Sequence, residues 1–204
     1  MRWPPPPKAL EGSIVRLEPL AEGHRAPLRK AAADPEIWTW MDRTIPAEEG
    51  AFDRWFAERL DASAQGREWC FATHWVADGR AIGSSSYLSA RPEHDGLEIG
   101  WTWLSPAKWR SGANVEAKLL MMREAFEGLG CIRVEFKTDA RNERSRAALE
   151  ALPARFEGVL RKHMLMRGIG VRDSAYYSVI DGEWPEVRAS LQARLEARSG
   201  AAGR

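Results

Sequence analysis

Three things are scarce in this sequence. There are only two cysteines, Cys70 and Cys131. They stand far apart, with no CxxC and no Cys/His ligand spacing, which argues against a disulfide framework and a structural zinc site. Each lies in an apolar, strand-like run and reads as a core residue in a reducing compartment. Charge of one sign is also lacking: 30 Lys and Arg against 29 Asp and Glu leave +1. No stretch shows the basic excess of a nucleic-acid binder, so the expected partner is a small molecule or a peptide. Finally, no apolar run approaches the roughly 18 residues of a membrane span. The opening Met1-Arg2-Trp3 and its four prolines have no apolar segment of the kind a secretion signal needs. A soluble, cytoplasmic protein is expected, with no membrane or nucleic-acid partner.

What is present is a globular mixture, 44% hydrophobic and 29% charged over 204 residues, enough for one domain with a sizeable core. Ten tryptophans are many for this length. Trp38, Trp40, Trp55, Trp69, Trp75, Trp101, Trp103 and Trp109 fall in the first half or just beyond it. Core and rim packing is the ordinary use of such rings; lining an acceptor pocket is the alternative.

Residues 1–12 read as an extended, proline-rich lead-in, because proline donates no backbone hydrogen bond. Alternation over Ser13–Leu17 predicts a first strand. A helix is expected over Ala21–Ala33, stopping at Asp34-Pro35. Another begins after Pro46, with Glu48 and Glu49 in its first turn. Its Phe52, Trp55, Phe56 and Leu60 form one apolar face. Three strands follow, Glu68–Trp75, Ala81–Ser89 and Leu97–Leu104, as an antiparallel meander with turns at Ala77–Arg80 and Arg91–Gly96. A helix is then expected over Gly112–Gly128, closed by Gly128 and Gly130, and a strand over Ile132–Thr138 that alternates strictly. The remainder reads as a helix over Asn142–Leu152, strands over Phe156–Met166 and Ser174–Ile180, and a last helix from Glu183. The order predicts a mixed α/β (α+β) architecture around a central, largely antiparallel sheet.

Chemistry concentrates in three stretches. In Leu97–Lys118 a strand enters a glycine-bearing loop that opens a helix. Free backbone N–H groups and the positive helix end then gather at one place, flanked by Lys108 and Arg110, as a pyrophosphate requires. The second stretch is Val134–Leu149 and the third Leu152–His163. Together, and in this order, they resemble the GNAT superfamily of acyl-CoA-dependent N-acyltransferases, most closely its RimJ/RimL-like branch. The likeness runs from about Ser13 to Trp184.

The resemblance implies a single acyl-CoA N-acyltransferase domain over 1–204, with a sheet splayed between its fourth and fifth strands and helices on its flanks. Acetyl-CoA is the implied co-substrate and a primary amine the implied acceptor; no metal is implied. The pyrophosphate is placed on Trp109, Arg110, Ser111, Gly112, Ala113 and Asn114, and the pantetheine along Trp101, Thr102, Trp103 and Leu104. Asn142 meets the pantetheine arm, and Ser145 lies near the thioester sulfur as the acid. From the residues alone Asn142 is equally a helix cap and Ser145 equally a solvent-facing serine. Trp109 and Asn114 depart from the family loop, which usually has Arg or Gln at the first position and Gly or Ala at the last. Pro153 stands where a glycine is usual.

The family's geometry further implies a backbone N–H near Thr102–Trp103 that polarises the thioester carbonyl. Glu98, among apolar neighbours that would raise its pKa, is the candidate base. A solvent-facing or arginine-paired glutamate is the plainer alternative. His94 and His163 are weaker candidates, and Glu116 reads as support for its helix. Ala21–Leu60 is expected to roof the acceptor site, where Glu48, Glu49 and Asp53 either attract a cation or form a solvated face. Succinyl transfer and a non-catalytic acyl-CoA-binding regulator are the alternative functions, and a homodimer is suggested by analogy.

Overall fold

The computed structural model describes residues 1–5 and 8–202. Pro6 and Pro7 of the expected lead-in lie outside the described residues. The lead-in nevertheless ends in a two-residue strand, β1 (Leu10–Glu11), which pairs with β2 (Val15–Pro19). The first predicted strand thus begins two residues late. The reason is the β1–β2 turn, closed by Gly12 N–H donating to the Val15 carbonyl at 3.0 Å, within which the N–H groups of Ser13 and Ile14 donate to the buried Glu116 carboxylate at 2.9 and 2.6 Å. Glu116 also accepts from the Ser13 hydroxyl and from Val15 N–H. It therefore ties the chain entry to the helix on which it sits.

Helices α1 (Arg25–Ala31), α2 (Thr44–Ala47) and α3 (Ala51–Ala64) follow β2. The expected start of α3 needs correction. Gly50, at φ 72°, caps it, and Glu48 is extended. Glu48 and Glu49 therefore precede the helix, and Asp53 is the acid of its first turn. The meander is as expected: β3 (Trp69–Trp75), β4 (Ala81–Arg91) and β5 (Gly96–Leu104) pair antiparallel in sequence. Helix α4 (Ala113–Arg123) continues as wider π-type turns over Glu124–Leu129 and stops at Gly130, at φ 80°. Then come β6 (Arg133–Asp139), α5 (Glu143–Glu150), β7 (Arg155–Met166), β8 (Gly170–Ile180) and α6 (Trp184–Ala202).

The eight strands form one sheet in the order β1-β2-β3-β4-β5-β6-β8-β7, antiparallel except where β5 and β6 run parallel. With β1 added, the fourth and fifth strands of the sequence reading are β5 and β6. Alternation sends neighbouring residues to opposite faces. Phe71 joins a core with α4 and α6, whereas Cys70 and Ala72 join a second core with α1–α3. Trp38, Trp55 and Trp103 pack on one another in that second core, with ring centroids 5.5–6.0 Å apart. Packing is therefore the main use of these three rings. Both cysteines are buried and unpaired. Among the described residues no helix is long and apolar enough to cross a membrane.

Candidate functional site

The site begins where a ladder ends. β5 and β6 pair only through Gly96–Glu98 and Arg133–Glu135. Past Glu98, β5 runs on to Leu104 and β6 to Asp139 without further pairing, so the sheet opens there. A cleft of about 850 Å³ occupies the opening and reaches both faces of the sheet. The other edge of β5 carries an irregularity. Ser84 lies opposite Trp103 and Ser86 opposite Gly100, leaving Trp101 and Thr102 to share Ser85. Trp101 takes the left-handed conformation, at φ 48°. Such a bulge leaves a residue outside the ladder and re-aims its neighbours. Here it places Thr102 toward α4 and Trp103 toward α1–α3.

One end of the cleft is built by the loop before α4. Gly112 caps that helix at φ 95°, a backbone state favouring glycine, and an added Cβ would stand 3.1 Å from the Ile14 side chain. The first turn of α4 leaves N–H groups without intrahelical acceptors, and Gly112, Asn114 and Val115 line the cleft there. Lys108, Arg110, Arg194 and Arg198 surround this end. Trp109 donates from Nε1 to the Leu104 carbonyl at 2.9 Å, and the Arg144 guanidinium stacks on its ring at 3.6 Å. The unusual tryptophan thus braces the loop and offers Arg144 a platform.

Of the expected cofactor residues, Trp101, Thr102, Trp103, Leu104, Trp109, Arg110, Gly112, Asn114 and Asn142 line the cleft. Ser111 and Ala113 do not. Ala113 is fully buried in the core, and Ser111 closes the loop by donating to the Lys108 carbonyl at 2.7 Å. Asn142 is the cap of α5: its Oδ1 accepts from Ser145 N–H at 3.1 Å. The same bond turns the amide so that Nδ2 is the group left free to donate. Ser145 also lines the cleft.

Glu98 sits at the point of divergence, 3% exposed. It is not solvent-facing; its partner is Lys137, whose Nζ lies 2.9 Å from Oε2. Burial raises its pKa, and the Lys137 charge opposes the rise. Gly100, two residues on, makes room for it: a Cβ there would stand 2.9 Å from Glu98 Oε1. Lys118 enters from α4 and donates to Thr102 Oγ1 at 2.6 Å, while Thr102 also meets Ser85 Oγ at 2.6 Å. Burial lowers the Lys118 pKa to about 7, with Glu98 pulling the other way. Arg172, on β8, also lines the cleft.

Lys118, Lys137 and Arg172 were not singled out by the sequence. Only Lys118 carried a signal, a lone cation within the apolar run Ala117–Met122. The other named candidates lie elsewhere. His94 is exposed. His163 meets Ser174 Oγ at 3.0 Å and Tyr176 at 3.4 Å, outside the cleft lining. Glu48 pairs with Arg54, and Asp53 with Arg25 and Arg29.

One group of possible metal ligands lies apart from the cleft: Glu18, His24 and His74 bring ligand atoms within 4.8 Å of one another. However, His24 Nδ1 accepts from Ala21 N–H at 3.0 Å. The neutral ring then carries its proton on Nε2, which donates to Glu18 at 3.2 Å and offers no lone pair.

Comparison with known proteins gives this geometry a context. A family model described as an acetyltransferase (GNAT) domain matches residues 15–155. The chain is similar to a GCN5-related N-acetyltransferase from Brucella melitensis, with 35% identity, a TM-score of 0.85, and coverage of 93% of this chain and 86% of that one. It is similar also to a candidate acetyltransferase from T. thermophilus, with 39% identity, a TM-score of 0.83, and coverage of 95% and 100%. The Mycobacterium smegmatis RimJ structure, in complex with CoA-disulfide, shares the fold at 19% identity and a TM-score of 0.75, over 92% of this chain and 91% of that one. Likeness to RimJ is therefore a matter of fold. No curated protein matches the chain.

Proposed function

This chain belongs to the GNAT acetyltransferase family and is an acyl-CoA-dependent N-acyltransferase; from that premise we propose that it moves an acetyl group from acetyl-CoA directly onto a primary amine, with Glu98 as base and Ser145 as acid. The observation that carries the proposal is the position of Glu98, at the one point where the opened sheet joins the two ends of the cleft.

The donor occupies the end built by Trp109–Asn114. Its pyrophosphate takes the free N–H groups of the first turn of α4 and the charge of Lys108 and Arg110. Its pantetheine arm, an extended chain with two amides, runs along Trp101–Leu104. On that edge β5 has lost β6 and is open to strand-like pairing. Asn142 Nδ2 is the side-chain donor facing the arm.

An alkylamine is protonated at neutral pH and cannot attack until it loses a proton. Glu98 accepts that proton, and the nitrogen lone pair adds to the thioester carbonyl. Developing charge on the carbonyl oxygen meets an N–H freed near Thr102–Trp103 by the bulge. Collapse breaks the C–S bond; the departing thiolate takes the proton of Ser145 Oγ, and the proton that the new amide nitrogen gives up restores the Ser145 hydroxyl. Acetyl rather than succinyl is the acyl group suggested by the family model, described as an acetyltransferase domain, and by the similar N-acetyltransferase from Brucella melitensis.

Calorimetric titration with acetyl-CoA, succinyl-CoA and free coenzyme A tests the donor assignment. Acetyl-CoA should bind in the micromolar range and at least as tightly as succinyl-CoA. Tighter succinyl-CoA binding changes the reaction, and no binding of any of the three overturns the donor assignment. Ser145→Ala should lower kcat by roughly 10²-fold with the donor Kd unchanged; equal turnover removes Ser145 from the mechanism.

A further inference from the structure

Arg172 stands in register with Met164 of the neighbouring strand, and both line the cleft. It is 7% exposed, and its Nε and Nη2 are buried without a hydrogen-bond partner. A guanidinium does not shed its proton to escape such a place, and a buried cation with unused donors is costly to keep. Two carboxylates are near enough to act on it through charge, Asp139 and Glu98. Both are already engaged. Arg141 grips Asp139 with two bonds, at 2.9 and 2.8 Å, and Lys137 holds Glu98 at 2.9 Å. Among the described residues no ion pair reaches Arg172. The nearby phenol of Tyr176 is turned to His163.

We propose that Arg172 binds a carboxylate on the amine acceptor, which makes the substrate class an amine with a carboxylate a few bonds from its amino group, a free amino acid being the simplest case. This rests on the acyl-transfer reading above. The planar fork of arginine matches a carboxylate with two parallel bonds, which lysine cannot reproduce. A zwitterion would then be oriented from both ends: its ammonium toward Glu98, its carboxylate toward Arg172. Met164 and Met166 supply an adaptable apolar wall for what lies between.

The test compares the wild type with Arg172→Met and Arg172→Lys. Without ligand, Arg172→Met should melt at or above the wild-type temperature, because it removes an unsatisfied buried charge; a clear loss of stability would make Arg172 a structural residue and overturn the proposal. With coenzyme A bound, a set of N-acetyl amino acids is titrated beside the matching N-acetyl amino acid amides. The wild type should bind the acids at least tenfold more tightly than the amides. That ratio should collapse in Arg172→Met and recover only in part in Arg172→Lys. No preference for acids anywhere in the set overturns the proposal. A preference for succinyl-CoA over acetyl-CoA that disappears in Arg172→Met does so too, by assigning the carboxylate to the donor. Acetyl-CoA binding is measured alongside and should be the same in all three proteins. Its absence from the wild type would be a failure of the acyl-transfer reading instead.

Discussion

At the end of the cleft proposed for the donor the important groups are neighbours in sequence, whereas at the end proposed for the acceptor they are not. A strand, a loop from Ser105 to Gly112 and the first turn of α4 supply backbone N–H groups, and one bond from Trp109 to Leu104 steadies them. At the acceptor end nothing is local. Glu98, Lys137 and Arg172 come from three strands and meet because β8 pairs with β6 and β6 with β5. On the proposed reading the donor end is a short local motif suited to a pyrophosphate, whose chemistry does not vary. The acceptor end is an arrangement of side chains that can change with the substrate while the strands stay in place.

The comparison can be broken at Glu98 first. Glu98→Gln should lower kcat by about 10²- to 10⁴-fold and leave the donor Kd unchanged. Activity appears as the carboxyl ionises. Since burial raises its pKa above 4.5, the ascending limb of the pH profile should lie above that value. Lys137 lowers the Glu98 pKa, so Lys137→Met should move the limb to higher pH. A kcat for Glu98→Gln equal to that of the wild type would leave the acceptor end without its base.

A tenfold effect is expected on the other side. Trp109→Ala removes the bond to Leu104 and the surface under Arg144, and should weaken acetyl-CoA binding by about tenfold, or about 1.4 kcal/mol. The acceptor KM should not move. If both constants change together, the two ends are not separable.

A last effect, on stability rather than on activity, concerns Lys118, which touches both ends through Thr102 and the charge of Glu98. Its pKa is lowered to about 7 in the folded protein, against about 10.4 for an ordinary lysine. Between those values the unfolded chain binds the extra proton, so stability rises with pH. Below pH 7 the fold holds a buried ammonium. Lys118→Met should therefore melt above the wild type at pH 6, with the gap closing toward pH 10. An unchanged slope would show that Lys118 keeps its charge when buried.

Much of this molecule is readable along the chain. Alternation in Ile132–Thr138 marks β6 to within one residue at each end, apolar spacing in Phe52–Leu60 marks α3, and the strand–glycine–helix order marks the loop before α4, because each is a local pattern. Local patterns also mislead in local ways. Glu48 and Glu49 look like a helix start until Gly50 takes φ 72° and opens α3 after them. Ser13 looks like a strand until the β1–β2 turn takes it in, with its N–H on Glu116.

The sequence by itself determined the family, the order of the longer elements and the glycine-bearing loop between β5 and α4, since backbone donors and helix ends follow from neighbours in the chain. Only the tertiary structure decided that Glu98 is paired with Lys137, that Lys118 loses its water, and that Arg172 is buried with donors unused. Those are consequences of long-range pairing and burial, and no spacing of residues records them.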